Sequence, residues 1–240
     1  MKSIVLFLLL SLVAPPAKKK LTIWMIGDST MSVKRPEAYP ETGWGMALGA
    51  FFRDNVQIEN RALNGRSTLS FIREGRWQPV MDGLHKGDYV LIQFGHNDEK
   101  IDKKGVGVML PEYKANLARF VTEARSRKAI PVLLTSIARR HFENGVLLNT
   151  HKGYPDAMRA VADSLKVPLI DMEKKTMALL TALGDERSIP LFLHVAPGHE
   201  HYPNGKKDDT HLSPEGARAV AALAVEGMKE NKLPLTKYLR

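Results

Sequence analysis

Five apolar runs of strand length, separated by stretches with helical spacing, constrain this chain more than any other feature. They occupy residues 21–26, 56–60, 89–94, 130–135 and 168–171. Each is nearly continuous in apolar character, where a half-exposed strand would alternate. That is the pattern of strands covered on both faces of a parallel sheet. Helical spacing falls at residues 43–53, 67–84, 111–128, 154–165 and 173–183, and in a last segment from Ser213 to Glu230. Gly75 and Pro79 divide residues 67–84 into two short helices. Pro111 suits a first helical turn, and Arg125, Arg127 and Lys128 suit a C-terminal one. Ser213-Pro214-Glu215 reads as a capping serine followed by a helix-opening proline. Strands alternating with helices imply an α/β fold with helices on both sheet faces, because parallel crossovers are right-handed.

The chain has 240 residues and no cysteine, so thiol nucleophiles, thiolate metal sites and disulfides are excluded. Residues 1–17 combine Lys2, an apolar run over 4–13 broken only by Ser11, and the small, proline-rich Ala14-Pro15-Pro16-Ala17. This is the make-up of a signal peptide, and it predicts a secreted or periplasmic protein. The run is too short for a spanning helix, which needs about 20 residues, so no stable membrane insertion is expected. Residues 18–240 then form one domain, with no linker, repeat or sign of obligate assembly; a monomer is expected. The net charge is +9. Basic residues are scattered, and Lys18–Lys20 is the one triplet, which argues against nucleic acid and leaves steering of an anionic polymer open.

In an open parallel sheet, ligands bind beyond the carboxyl ends of the strands. The residues there are Gly27-Asp28-Ser29-Thr30, the segment 60–67 (NRALNGRS), Gly95-His96-Asn97-Asp98, Ser136 and Asp171. Ser29 can present a hydroxyl to the crevice, with amides of a following helix beside it; taken singly, it also suits a turn or cap. Asp208 and His211 are three apart, so in a turn or first helical turn the carboxylate reaches Nδ1 and leaves Nε2 to take a proton from a serine. A solvated acidic turn is the other reading. Gly65 and Asn97 can donate to an oxyanion together with the Ser29 amide, or can simply shape their own loops. Asp98 is expected to brace its loop, and Asp209 to face away from His211. Residues 188–210 show little periodicity and read as a long loop beside this site.

Taken together, Gly27-Asp28-Ser29, Asn64-Gly65, Gly95-His96-Asn97-Asp98 and Asp208-x-x-His211 resemble the four blocks of the SGNH/GDSL hydrolases, in order and across nearly the whole chain. GDSTM, NRALNGRST, FGHND and YPNGKKDDTHLSPEGA are similar to the rhamnogalacturonan acetylesterase branch. The resemblance implies a single flavodoxin-like, three-layer domain with a five-stranded parallel sheet. It implies Ser29 as nucleophile, His211 as base, Asp208 as its orienter, and the Ser29 amide, Gly65 amide and Asn97 side chain as oxyanion hole. It implies an acetylated pectic polysaccharide as substrate and two-step acyl transfer without metal or other cofactor. Asp28, Thr30, Arg66, His96 and His199 are carried as candidate substrate contacts.

His194, His199, Glu200, His201 and His211 invite a metal, but nothing in their spacing converges on one point, and sugar contact or solvated loop histidines are the other readings. Gly43-Trp44-Gly45 and Gly49 lack dinucleotide spacing, and GxSxG is absent. Trp44 and Trp77 suit sugar platforms or the core. Arg61, Arg66, Arg139 and Arg140 suit a uronate carboxylate or plain surface pairing. Within esterases, a lipid esterase or lysophospholipase and an acetylxylan esterase are the alternatives. Outside enzymes, the alternative is a non-catalytic carbohydrate-binding protein on the same fold.

Overall fold

The structure, a computed structural model, describes residues 20–240; the expected signal segment, residues 1–17, lies outside them. In chain order the elements are β1 (Leu21–Gly27), α1 (Trp44–Leu48), β2 (Val56–Asn60), α2 (Thr68–Arg73), α3 (Trp77–Gly83), β3 (Tyr89–Gln93), α4 (Leu110–Ser126), β4 (Ile130–Leu134), the short ribbon β5 (Phe142–Glu143) and β6 (Val146–Leu147), α5 (Tyr154–Leu165), β7 (Leu169–Ile170), α6 (Met172–Ser188), β8 (Phe192–Val195), β9 (Lys206–Leu212) and α7 (Pro214–Glu230). The five apolar runs form one parallel sheet, in the order β2-β1-β3-β4-β7. This is the doubly wound order whose direction reverses between β1 and β3, so the crevice opens beyond those two strands.

Alternate side chains of β1, β3 and β4 feed two cores. Ile23 and Met25 of β1 pack with Trp44, Leu48 and the inner face of α7, while Trp24 and Ile26 pack with Phe71, Trp77 and Phe120 on the opposite side. Burial on both faces explains why β1, β3 and β4 are apolar nearly throughout, whereas the edge strand β2 (VQIEN) alternates and leaves Gln57 exposed. Trp44 and Trp77 are therefore core residues, fully and almost fully buried, with their indole N–H groups donated to Gln93 and Glu123. They are not sugar platforms.

The helices start and stop for the expected local reasons. α7 is capped by Ser213 Oγ, which accepts from the Gly216 amide at 3.1 Å, and Pro214 opens its first turn. Residues 67–84 divide at Gly75, whose φ of +68° the left-handed region allows to glycine at little cost. α6 breaks at Gly184, one residue beyond the expected helix end at 183. Among the described residues, no helix is long and apolar enough to cross a membrane.

One expectation fails. Residues 188–210 are not a plain loop. They contribute β8 and most of β9, which pair as an antiparallel hairpin outside the main sheet. The KKDDTHL sequence of β9 carries no apolar alternation, because most of the strand is half-exposed and its pairing is interrupted. Phe192 faces Leu212 while the next residue, Leu193, already faces Asp208. The residues 209–211 between them bulge out of the ladder.

Candidate active site

That bulge shapes the base. A carboxylate and an imidazole three positions apart on a regular strand would point to opposite faces. Here the Asp208 carboxylate folds back on its own backbone. Its Oδ1 accepts from the amides of Thr210 and His211, both at 2.9 Å, and its Oδ2 accepts from His211 Nδ1 at 2.9 Å. The expected turn or helical turn is thus a bulged strand instead, and the bulge brings the two side chains together. A carboxylate only accepts, so Nδ1 carries the proton and Nε2 is left as acceptor. Ser29 Oγ lies 2.9 Å from that Nε2, across 182 positions of sequence. Burial alone would raise the Asp208 pKa; the hydrogen bonds from His211 and the flanking amides outweigh it and hold the carboxyl well below the usual range.

Ser29 leaves β1 through a turn closed by its neighbour. Asp28 Oδ1 accepts from the Thr30 amide at 2.9 Å and the Thr30 hydroxyl at 2.8 Å, and the Asp28 carbonyl accepts from the Ser32 amide. No helix follows directly, as α1 begins only at Trp44; the tight Asp28 turn takes its place. Gly27 is required because a Cβ there would lie 2.5 Å from the Gln93 carbonyl oxygen, where β1 and β3 run together. Behind Ser29 sits a cation the sequence reading did not identify. Lys34, 9 % exposed, donates to the Ser29 carbonyl and to Asn64 Oδ1 at 2.8 Å, and pairs with Glu41 at 2.7 Å. Burial lowers its pKa, with Glu41 working against that shift.

The donors flank the hydroxyl. Gly65 has a φ of +76° in a turn closed by the Arg66 amide on the Leu63 carbonyl. Asn97 donates from Nδ2 to the Arg66 carbonyl at 3.1 Å, and its Oδ1 accepts from Lys100 Nζ at 2.9 Å. Among the described residues, the Ser29 and Gly65 amides have no acceptor. Ser29, Asn64, Gly65, Asn97, Asp208 and His211 line one open concavity of about 350 Å³, together with Glu41, Lys100, Leu193, Tyr202 and Lys206.

The five candidate substrate contacts lie elsewhere. Asp28, Thr30 and His96 are at most 3 % exposed and sit below the concavity, not in its wall. His96 stacks edge-on against His151, and burial keeps its pKa well below the ordinary histidine value. The Arg66 guanidinium turns outward to Glu74, and His199 lies with Tyr39 and Tyr202, outside the lining. Asp98 braces its loop by accepting from the Thr68 amide and hydroxyl. Asp209 faces away from His211 and holds Arg140 and His194 instead. The remaining arginines are likewise engaged: Arg61 with Glu59 and Arg139 with Glu99. Lys34 and Lys100 carried no motif to mark them, and Tyr202 and Lys206 lay in the YPNGKKDDTHLSPEGA block without being singled out. Tyr202 and Lys206 did fall in the segment 188–210 that the sequence places beside the site.

The chain is similar to known proteins over most of its length. Residues 25–219 match the model of the GDSL-like lipase/acylhydrolase family. The chain is 43% identical over 224 residues to the rhamnogalacturonan acetylesterase RhgT of Bacillus subtilis (strain 168), covering 92% of this chain and 95% of that one. It is 31% identical to a rhamnogalacturonan acetylesterase of Emericella nidulans, over 92% of this chain and 89% of the other. The crystal structure of YxiM from Bacillus subtilis superposes with a TM-score of 0.77 at 25% identity, over 90% of this chain and 58% of that longer one.

Proposed function

The chain belongs to the GDSL-like lipase/acylhydrolase family, and from that premise we propose that it is a serine esterase removing O-acetyl groups from pectic rhamnogalacturonan. The observation that carries this reading is the unbroken relay from Asp208 through His211 to Ser29, beside amides that have no acceptor among the described residues. A protein that only binds sugar has no use for a proton relay aimed at a hydroxyl. A lipid esterase would line its concavity with apolar side chains, whereas Glu41, Asn64, Lys100 and Lys206 surround this one.

The reaction runs in two acyl transfers. His211 Nε2 takes the proton of Ser29 as Oγ attacks the acetyl carbonyl carbon. The imidazolium so formed is stabilised by the Asp208 carboxylate at Nδ1. Negative charge gathers on the former carbonyl oxygen, among the Ser29 amide, the Gly65 amide and the remaining Asn97 N–H. Each such donor contributes on the order of 10²–10³ in rate. The C–O bond to the sugar breaks, and His211 returns its proton to the departing sugar oxygen. A water, deprotonated by the same nitrogen, then attacks the acetyl carbon; the bond to Ser29 Oγ breaks, Oγ takes the proton back from His211, and acetate leaves.

Acetate release from acetylated rhamnogalacturonan is the test. The wild type should release it and Ser29→Ala, folded to the same melting temperature, should not. Cleavage of p-nitrophenyl acetate without release from the polymer would leave the esterase and remove the substrate. Export follows from the make-up of residues 1–17. Its check is N-terminal sequencing of protein recovered outside the cytoplasm.

A further inference from the structure

The concavity at Ser29 does not stand alone. Lys100, which donates to Asn97 in its wall, also lines a second open concavity of about 560 Å³, whose other lining residues are Glu99, Asp102, Lys103 and Lys152. We propose that this second concavity is a subsite for the carboxylate of a uronic acid residue in the same oligosaccharide chain, adjoining the sugar whose ester sits over Ser29. The proposal rests on the acetylated, acidic polymer being the substrate.

Charge favours an anion here. Glu99 is neutralised in place: Arg139 pairs with one of its oxygens, and His151 Nδ1 lies 3.2 Å from the other. That leaves Asp102 against Lys100, Lys103 and Lys152. Among the described residues, neither Lys103 nor Lys152 has an ion-pair or hydrogen-bond partner for its ammonium group. Arg61, Arg66, Arg139 and Arg140, the arginines suited to a uronate carboxylate, are committed to protein groups; among the described residues these two lysines are not.

The scaffold beneath the cations is fixed. The loop after β3 closes on itself, with the Val108 amide donated to the Asp98 carbonyl at 2.9 Å and the Lys103 amide to the Lys100 carbonyl at 2.8 Å. Gly107 is needed where the loop crosses itself, since a Cβ there would fall 2.0 Å from the Lys100 carbonyl oxygen. Lys152 has a φ of +44°, a region costly for a side-chain-bearing residue, directly after the buried His151. His151 is pinned in turn by the Ile137 carbonyl and Glu99. Both lysine-bearing segments thus hang on Glu99 and its partners, and their backbone needs little rearrangement to receive a ligand.

The subsite adds affinity for an acidic chain and nothing to bond cleavage, so it should appear in KM alone. In the double variant Lys103→Ala/Lys152→Ala, KM for acetylated rhamnogalacturonan oligosaccharides should rise about tenfold, as two part-exposed ion pairs warrant. Its kcat, its rate on p-nitrophenyl acetate and its KM for the same oligosaccharides with uronates reduced to neutral sugars should match the wild type. Lys103→Arg/Lys152→Arg should restore KM. An unchanged KM for the acidic oligosaccharides, with p-nitrophenyl acetate cleavage intact, overturns the subsite. Should the alanine variant fold poorly, wild-type KM must rise with added salt for the acidic oligosaccharides and stay level for the reduced ones; parallel curves overturn the proposal equally. A wild type that cleaves p-nitrophenyl acetate but neither oligosaccharide removes the polymer, and this subsite with it.

Discussion

Asn97 divides its amide between scaffold and pocket. One N–H is donated to the Arg66 carbonyl, its oxygen is held by Lys100, and the second N–H is left for an oxyanion. Asn97→Ala should therefore lower kcat on p-nitrophenyl acetate by about 10²–10³, with KM little changed. A loss below about tenfold would show that this amide takes no part in holding the oxyanion. Lys100→Met removes the charge that keeps the amide from flipping, and a smaller loss of about tenfold in kcat should follow. Residues such as Ser29, Asn97 and His211 were legible in the sequence because the chemistry demands those types and the strand ends give them a place. Lys34 and Lys100 were not: a lysine has no type-specific signal, and nothing local tells a buried one from a solvated one. Asp28, Thr30 and His96 misled for a related reason. Adjacency to the nucleophile or to Asn97 in sequence says nothing about which side of the backbone faces the pocket.

At the scale of elements, the parallel sheet was legible and the β8–β9 hairpin was not. A strand covered on both faces declares itself by composition, whereas β9 owes its shape to a bulge and to long-range ties. Arg140 provides the main one: its amide donates to the Asp209 carbonyl at 2.8 Å, and its guanidinium spans Asp209 and Asp185. This clamp holds the bulge that carries Asp208 and His211. Asp209→Ala should cost under about 1 kcal/mol in stability, because the Asp209 side chain is 45 % exposed and Arg140 keeps Asp185. It should nevertheless lower kcat about tenfold, since a shift of an ångström at His211 is felt directly in proton transfer. Thermal melting and p-nitrophenyl acetate turnover on the same sample separate the two effects. Turnover equal to wild type in the folded variant would show that the bulge holds its shape without the clamp.

For the whole molecule, the arrangement that opens the crevice at the sheet's switch point also buries acids beneath it. Asp98 follows β3 and accepts from the Thr68 amide and hydroxyl at the start of α2, so it ties the sheet to its helical layer. Its second oxygen has no partner among the described residues, and burial pushes its carboxyl up to about 7. Burial raises Asp28 as well. An unfolded aspartate loses its proton near pH 4, so between about pH 4 and 7 the unfolded chain is ionised at Asp98 while the folded one still holds the proton. Folding then binds a proton, and stability falls as pH rises through that window, by a few kcal/mol for a shift of this size. Asp208 acts in the opposite direction. Its depressed pKa contributes stability that is present above about pH 4 and is lost only as the solution turns strongly acidic. Asp98→Asn keeps an acceptor for Thr68 and cannot ionise. Urea denaturation at intervals from pH 4 to pH 8 should show wild-type stability declining across the window and the variant markedly flatter. Equal slopes in the two proteins would mean that Asp98 is ionised throughout, its charge met by water entering from the crevice.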